Sequence, residues 1–253
     1  MPRGLLIALI SLILAAPAFA KGPVYVAIII DDVGNSFSEG QRAINLPAQL
    51  TYSILPFTRY AKSLAADAHA KGKEVMLHEP MTNIYGKPIG PGGLVPAFSR
   101  SQFTNAFESA LASVPFVRGV NNHMGSYLTQ QPKQMGWLMQ DIKHHHLFFI
   151  DSRTTPKTVA LKVAEESNVI SSRRDVFLDD VLSLYAIDRQ FRELIRTARR
   201  NGTAIAIGHP HEITLDYLAM AIPQMQANGV YIVPASSLIG IQQMLAVQYA
   251  RGD

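Results

Sequence analysis

Residues 24–34 read VYVAIIIDDVG, a run of β-branched and apolar residues that stops at two adjacent carboxylates, Asp31 and Asp32. A continuous apolar run of this length reads as a strand covered on both faces, and such strands belong to parallel sheets. The two charges at its tip must sit at an opening, because burying an unpaired carboxylate is prohibitively costly. The pattern recurs along the chain. VML at 75–77 stops at His78, FVRGV at 116–120 runs into Asn121, Asn122 and His123, and TAIAI at 203–207 runs into Gly208 and His209. Polar side chains gathered at the ends of several apolar strands are how an α/β protein assembles a site.

Strand-like segments at 24–30, 50–55, 74–77, 116–120, 147–150, 169–171, 176–178, 203–207 and 230–233 alternate with helical patterns. The helical patterns cover 36–46, 59–71, 99–113, 132–144, 156–167, 184–200, 213–228 and 237–248. Thr58 is placed to cap the helix that follows it, Gly72 to end it, and Pro132 to open another. Residues 81–98 hold four glycines and three prolines, too long a stretch for a simple connection, and loops of this kind cover sites. The seven or eight β-then-α units show no break in composition and no repeat. They predict a single α/β domain over 21–253 with a parallel sheet, closed or nearly closed into a (β/α)7-8 barrel. An open doubly wound sheet is the alternative, because periodicity does not reveal closure.

Of the 253 residues 48% are hydrophobic and 17% charged, which provides for a core and excludes a disordered chain. The net charge is only +4, and no Lys/Arg block exceeds a pair, so nucleic-acid binding is not indicated. Residues 1–20 read as a signal peptide: Arg3, an apolar run over 5–15, and the small-x-small site Ala18-Phe19-Ala20, with cleavage after Ala20. The run is shorter than the ~20 residues a membrane span needs, and Pro17 breaks it. The expected mature protein is therefore periplasmic, with no stable membrane span. It has no cysteine, so it is held together without disulfides.

On a parallel barrel Asp31, Asp32, His78, Glu79, Asn122, His123, Asp151, His209 and His211 would converge on the carboxyl-terminal face. Two histidines and a carboxylate make a common catalytic zinc set with one position open to water. A second carboxylate could take the proton of that water, and a further histidine could protonate the leaving group.

The segments IIIDDVG (28–34), GKEVMLHEPM (72–81), GVNNHMGS (119–126), FFIDSRT (148–154) and AIGHPHE (206–212) resemble, in order and spacing, the NodB-type polysaccharide deacetylases. They resemble the divergent branch of that superfamily most. The resemblance implies a distorted (β/α) barrel, a divalent metal (usually zinc), and hydrolysis of an acetyl group on a sugar. Carried across by motif, it implies Asp31 as base, Asp32 and His78 as metal ligands, and His209 as acid. Ordinary deacetylases carry a second metal histidine four residues after the first, where this chain has Thr82. The NNHMGS motif supplies His123 as the replacement, and Asn122 becomes a donor to the developing oxyanion, with His211 assisting His209.

Several residues receive plainer readings. His144, His145 and His146 end a helix and point in different directions, so they read as surface capping. Trp137 reads as core, Tyr85 as a sugar contact, Asp151 and Arg153 as groups orienting the ligands, and Asp179-Asp180 as helix-start charge. The leading expectation is a periplasmic metal-dependent hydrolase acting on an acylated envelope polysaccharide. A carbohydrate-binding or envelope-assembly protein that kept the barrel and lost catalysis is the alternative. A phosphate-ester hydrolase ranks last, because the aspartates are adjacent and not spaced Asp-x-Asp.

Overall fold

The computed structural model describes residues 23–251; residues 1–20, read as a signal peptide, lie outside them. Among the described residues nine strands form one sheet: β1 (Val24–Val33), β2 (Thr51–Ile54), β3 (Glu74–Met81), β4 (Val117–Met124), β5 (Phe148–Asp151), β6 (Ser171–Arg173), β7 (Val176–Phe177), β8 (Thr203–Gly208) and β9 (Val230–Ile232). Every pairing between them is parallel. The path runs β6-β5-β4-β3-β2-β1-β8-β7, with β9 beside the start of β1. Thus β6 and β7 stand at opposite ends of the path, yet only Arg174 and Asp175 separate them in the chain. The three peptide steps from Arg173 to Val176 reach roughly 10 Å. The sheet must therefore curl until its edges face each other across a seam. This is a distorted (β/α) barrel, and the short link decides against the open doubly wound sheet.

The helices α1 (Phe37–Ile44), α2 (Ala61–Ala70), α3 (Arg100–Ser113), α4 (Pro132–His144), α5 (Ala160–Glu166), α6 (Leu184–Asn201), α7 (Glu212–Ala227) and α8 (Ala235–Arg251) complete the alternation. Strand periodicity of two separates two cores. Val26, Ile28, Ile30, Val75, Leu77 and Val120 belong to the outer one, under the helices. Ala27, Ile29, Met76, Phe148, Ile150, Ile205 and Ile207 fill the barrel, together with Ala235, Leu238 and Ile239 of α8. The start of α8 is tied to the bottom of the sheet: Ala235 N–H donates to Thr51 Oγ1 (3.0 Å) and Ser236 N–H to Glu74 Oε1 (3.2 Å). Gly119 makes room for this packing, since a Cβ there would meet the Phe148 ring at 2.4 Å. With the bottom plugged, the opening lies at the carboxyl ends of the strands.

Local chemistry accounts for where elements start. Ser99 caps α3 in a capping box with Gln102, ahead of the buried Phe103 and Phe107. Ser99→Ala is expected to cost about 1 kcal/mol, read as a lower thermal midpoint. Thr58 does not cap α2. Its hydroxyl donates to Leu55 O (2.9 Å), and the helix begins at Ala61 without a side-chain cap. The helix expected from 156 starts at Ala160, because the Thr158 hydroxyl donates to Asp151 Oδ2 (2.9 Å) and accepts from Ala160 N–H (3.1 Å). β4 runs past residue 120 to Met124, since its ladder with β3 continues to the Met81–Met124 pair.

Candidate metal centre and catalytic cavity

Alternation along β1 turns Ala27 and Ile29 inward and Asp31 with them, which should leave Asp32 facing outward. The register with β2 instead slips between Ile30 and Val33, and Asp32 adopts φ 56°. This left-handed kink, tolerated by aspartate, swings the second carboxylate to the same opening. Met124 (φ 54°) and Arg153 (φ 51°) turn the chain in the same way just past the inward tips of β4 and β5.

On β3 and β4, His78 is paired in register with Asn121. A period of two places Asn121 and His123 on the inner face and Asn122 on the outer one. His78 Nε2 lies 3.1 Å from Asp32 Oδ1, and His123 Nδ1 lies 2.9 Å from the same oxygen. The two ring nitrogens are 3.3 Å apart. Asn121 sets the protonation of this group. Its Nδ2 donates to Asp31 Oδ1 (2.8 Å), so its Oδ1 faces His78 Nδ1 (2.7 Å) and accepts from Ser53 Oγ (2.5 Å). His78 then carries a proton on Nδ1 and turns Nε2 toward Asp32.

Burial works against charge at Asp31, Asp32 and His78. At His78 Asp31 and Asp32 outweigh burial and raise the pKa. At Asp32 the two imidazoles outweigh it and hold the carboxyl far below the usual carboxylate range. At Asp31 burial prevails over the nearby His78 and His209, and the pKa is raised. Asp32, His78 and His123 each offer a ligand atom, all within 4.8 Å of one another. Lone pairs aimed at one another at about 3 Å repel unless a proton or a cation sits among them, and buried Asp32 Oδ1 has no hydrogen-bond donor of its own. Two nitrogens and one carboxylate oxygen are the donor set of a catalytic divalent metal, so the residues present fit that group.

Across the opening, His209 follows β8. Its backbone N–H donates to Asp179 Oδ2 (2.7 Å), its Nδ1 lies 3.0 Å from Asp179 Oδ1, and Thr214 Oγ1 donates to Asp179 Oδ2 (2.9 Å). The reading of Asp179 as helix-start charge is therefore corrected: its carboxylate is buried and orients the histidine. Burial disfavours the imidazolium, but the Asp179 hydrogen bond and charge raise the His209 pKa to about 9. His209 Nε2 is 3.9 Å from Asp32 Oδ2, on the side of the Asp32, His78 and His123 trio. His211 is exposed, its ring 5.8 Å from that of His209. Asp179, His209 and His211 also lie within metal-ligand reach of one another, but both Asp179 oxygens already accept hydrogen bonds.

Asp31, Asp32, His78, Asn122, His123, Arg174 and His209 share a cavity of about 220 Å³. Asn122 borders it with its amide engaged: Nδ2 donates to Met124 O (2.8 Å), and Oδ1 accepts from Ser152 N–H (3.0 Å). Asp151 accepts from Arg153 N–H (2.8 Å) and from Thr158, shaping the loop after β5 and touching none of the trio. Glu79 sits on the outer face of β3, fully buried with neither oxygen bonded, and burial keeps its pKa well above the usual range. His145 pairs with Glu108 (2.7 Å), Trp137 packs edge-on against Phe103, and Tyr85 is 75% exposed on the long loop.

The family model described as divergent polysaccharide deacetylase matches residues 28–239. The chain belongs to that family. The chain is 39% identical over 192 residues to an uncharacterized protein of Haemophilus influenzae, a match covering 76% of this chain and 69% of that one. Among solved structures it superposes on the uncharacterized protein ATU2773 from Agrobacterium tumefaciens (TM-score 0.82, 24% identity, 86% and 89% of the two chains). It also superposes on the catalytic domain of a peptidoglycan N-acetylglucosamine deacetylase from Eubacterium rectale (TM-score 0.55, 14% identity, 85% and 90% covered). A mutant of BA3943, described as a CE4 family pseudoenzyme with restored activity, shares the fold as well (TM-score 0.52, 16% identity, 87% and 68% covered). At these identities the solved structures speak for the fold alone. Among the described residues no helix is long and apolar enough to cross a membrane.

Proposed function

We propose that this member of the divergent polysaccharide deacetylase family is a periplasmic, zinc-dependent hydrolase that removes an acyl group from an envelope polysaccharide. The observation that carries the reading is the meeting of Asp32, His78 and His123 within 4.8 Å, flanked by Asp31 and His209. Asp32, His78 and His123 would hold the ion. A divalent cation there supplies Lewis acidity toward the acyl carbonyl and a water. Asp31 is placed to take the proton of the attacking water, and burial, which raises its pKa, makes it a stronger base than an exposed carboxylate. His209, protonated at neutral pH, hands its proton to the departing amine or hydroxyl. Asn121 braces base and ligand together, since one amide bonds both Asp31 and His78. The carbohydrate substrate follows from the family, and the periplasm from the leader pattern of residues 1–20.

Metal analysis of the purified protein tests this. The wild type is expected to hold about one equivalent of a divalent ion, as a three-ligand catalytic site does. Asp32→Ala and His123→Ala should each lose it without unfolding. A second reading, a catalytically silent carbohydrate binder, is favoured by Thr82 standing where ordinary deacetylases have their second metal histidine. The Thr82 backbone N–H and hydroxyl both donate to Leu94 O, which fixes the long loop. A metal-free wild type that binds glycan would choose that reading.

A further inference from the structure

Arg174 lies in the two-residue link across the barrel seam and borders the same cavity as Asp31 and His209. Its guanidinium is fixed on three sides. Nε donates to Ser152 O (2.7 Å), Nη2 donates to Arg153 O (2.9 Å), and Cζ lies 4.9 Å from the centre of the Phe177 ring. Phe177 in turn packs against His209, with ring centres 5.4 Å apart. A guanidinium carries five N–H groups. Two are engaged with carbonyls, and the others have no acceptor among the described residues. No carboxylate among the described residues forms an ion pair with Arg174. Burial and the neighbouring Arg153 lower its pKa, and the carboxylates of Asp31, Asp151 and Asp180 oppose this only at a distance. A half-buried, immobilised cation beside a cavity, with N–H groups left over, lacks an anion to complete it.

We propose that Arg174 is the carboxylate-binding residue of this cavity, gripping a carboxylate of the ligand with the free edge of its guanidinium. A planar fork held in place suits a planar carboxylate, which it can bind through two parallel hydrogen bonds. The hydrolase reading offers two sources of that group. Hydrolysis adds water across the acyl bond, so the acyl carbon leaves as a carboxylic acid that ionises at neutral pH. The polysaccharide can also carry a sugar acid beside the acylated sugar. The proposal rests on that reading for the ligand's identity, and on the geometry of Arg174 for everything else.

The test is titration of the purified, folded wild-type protein with acetate, and separately with glucuronate and with glucose, following the Arg174 guanidinium signals by NMR. Arg174→Gln and Arg174→Lys are titrated alongside, with thermal midpoints recorded. Acetate is expected to shift the Arg174 signals, and Arg174→Gln to weaken acetate binding roughly tenfold or more, with Arg174→Lys in between. A response to acetate assigns the site to the released acid. A response to glucuronate without one to acetate or glucose assigns it to an acidic sugar. Wild-type Arg174 signals that ignore both acids overturn the proposal even if the glutamine variant does not fold. So does a folded Arg174→Gln protein that binds acid as tightly as the wild type. Metal analysis of the same wild-type sample reports on the hydrolase reading separately, because Arg174 holds none of the ion's ligands.

Discussion

Asp31→Asn is expected to lower turnover roughly 10³-fold, within the range a general base contributes, while the protein still binds about one equivalent of metal. The substitution is nearly isosteric and lets position 31 still accept the Asn121 amide, so His78 stays oriented. What disappears is the capacity to accept a proton at that oxygen. Asp31 is 2% exposed, so bulk water cannot easily replace it as a base. Steady-state rates on an acylated glycan, measured together with metal content, separate the two adjacent carboxylates. Loss of rate with metal retained assigns Asp31 to proton transfer, whereas loss of both would make it a ligand. An Asp31→Asn protein as fast as the wild type would refute the base assignment.

Much of this arrangement was legible in the sequence because strand physics is local. Apolar runs of strand length alternating with amphipathic helices specify a parallel sheet, and charges at the strand tips specify which end opens. The barrel became decidable only with the topology, because curling follows from which strands are edges. A two-residue link between β6 and β7 constrains the sheet only once those strands are known to end the path.

The site divides along the same line. The meeting of Asp32 with His78 and His123 needs a kink that adjacency in sequence does not reveal: strict alternation would have sent Asp31 and Asp32 to opposite faces. Asn121 was within reach of sequence reasoning, because a period of two from His123 selects it and passes over Asn122. The apparent end of the apolar run at residue 120 hid that strand continuation. Asp179 had no comparable local signal. Two aspartates before a helix also read as a favourable charge at its start, and only the tertiary fold turns one of them under His209. Arg174 was hidden for a related reason: its significance lies in facing a seam, and a seam is a property of the closed sheet.

Asp179→Asn is expected to move the alkaline limit of activity downward, from near 9 toward neutrality. His209 has a pKa of about 9 because an Asp179 hydrogen bond and charge overcome the cost of burying an imidazolium. An asparagine keeps an oxygen for the ring but removes the negative charge, so burial, which favours the neutral ring, is no longer offset. A general acid must be protonated to work, so activity is present below its pKa and lost as pH rises through it. At pH 8 the wild type retains the proton and the variant loses it, with a drop in rate of roughly tenfold for each pH unit by which the pKa falls short of the assay pH. Below pH 6 the two should converge, since both then carry the proton. Stability follows the same sign. A pKa raised on folding stabilises the wild type below the ordinary imidazole value near 6.5, and that contribution fades as pH climbs toward 9. The thermal midpoints of wild type and variant should therefore differ most in mild acid and approach each other in alkali. Matched pH-rate profiles with an unmoved basic limb would show that His209 is not the group that delivers the proton.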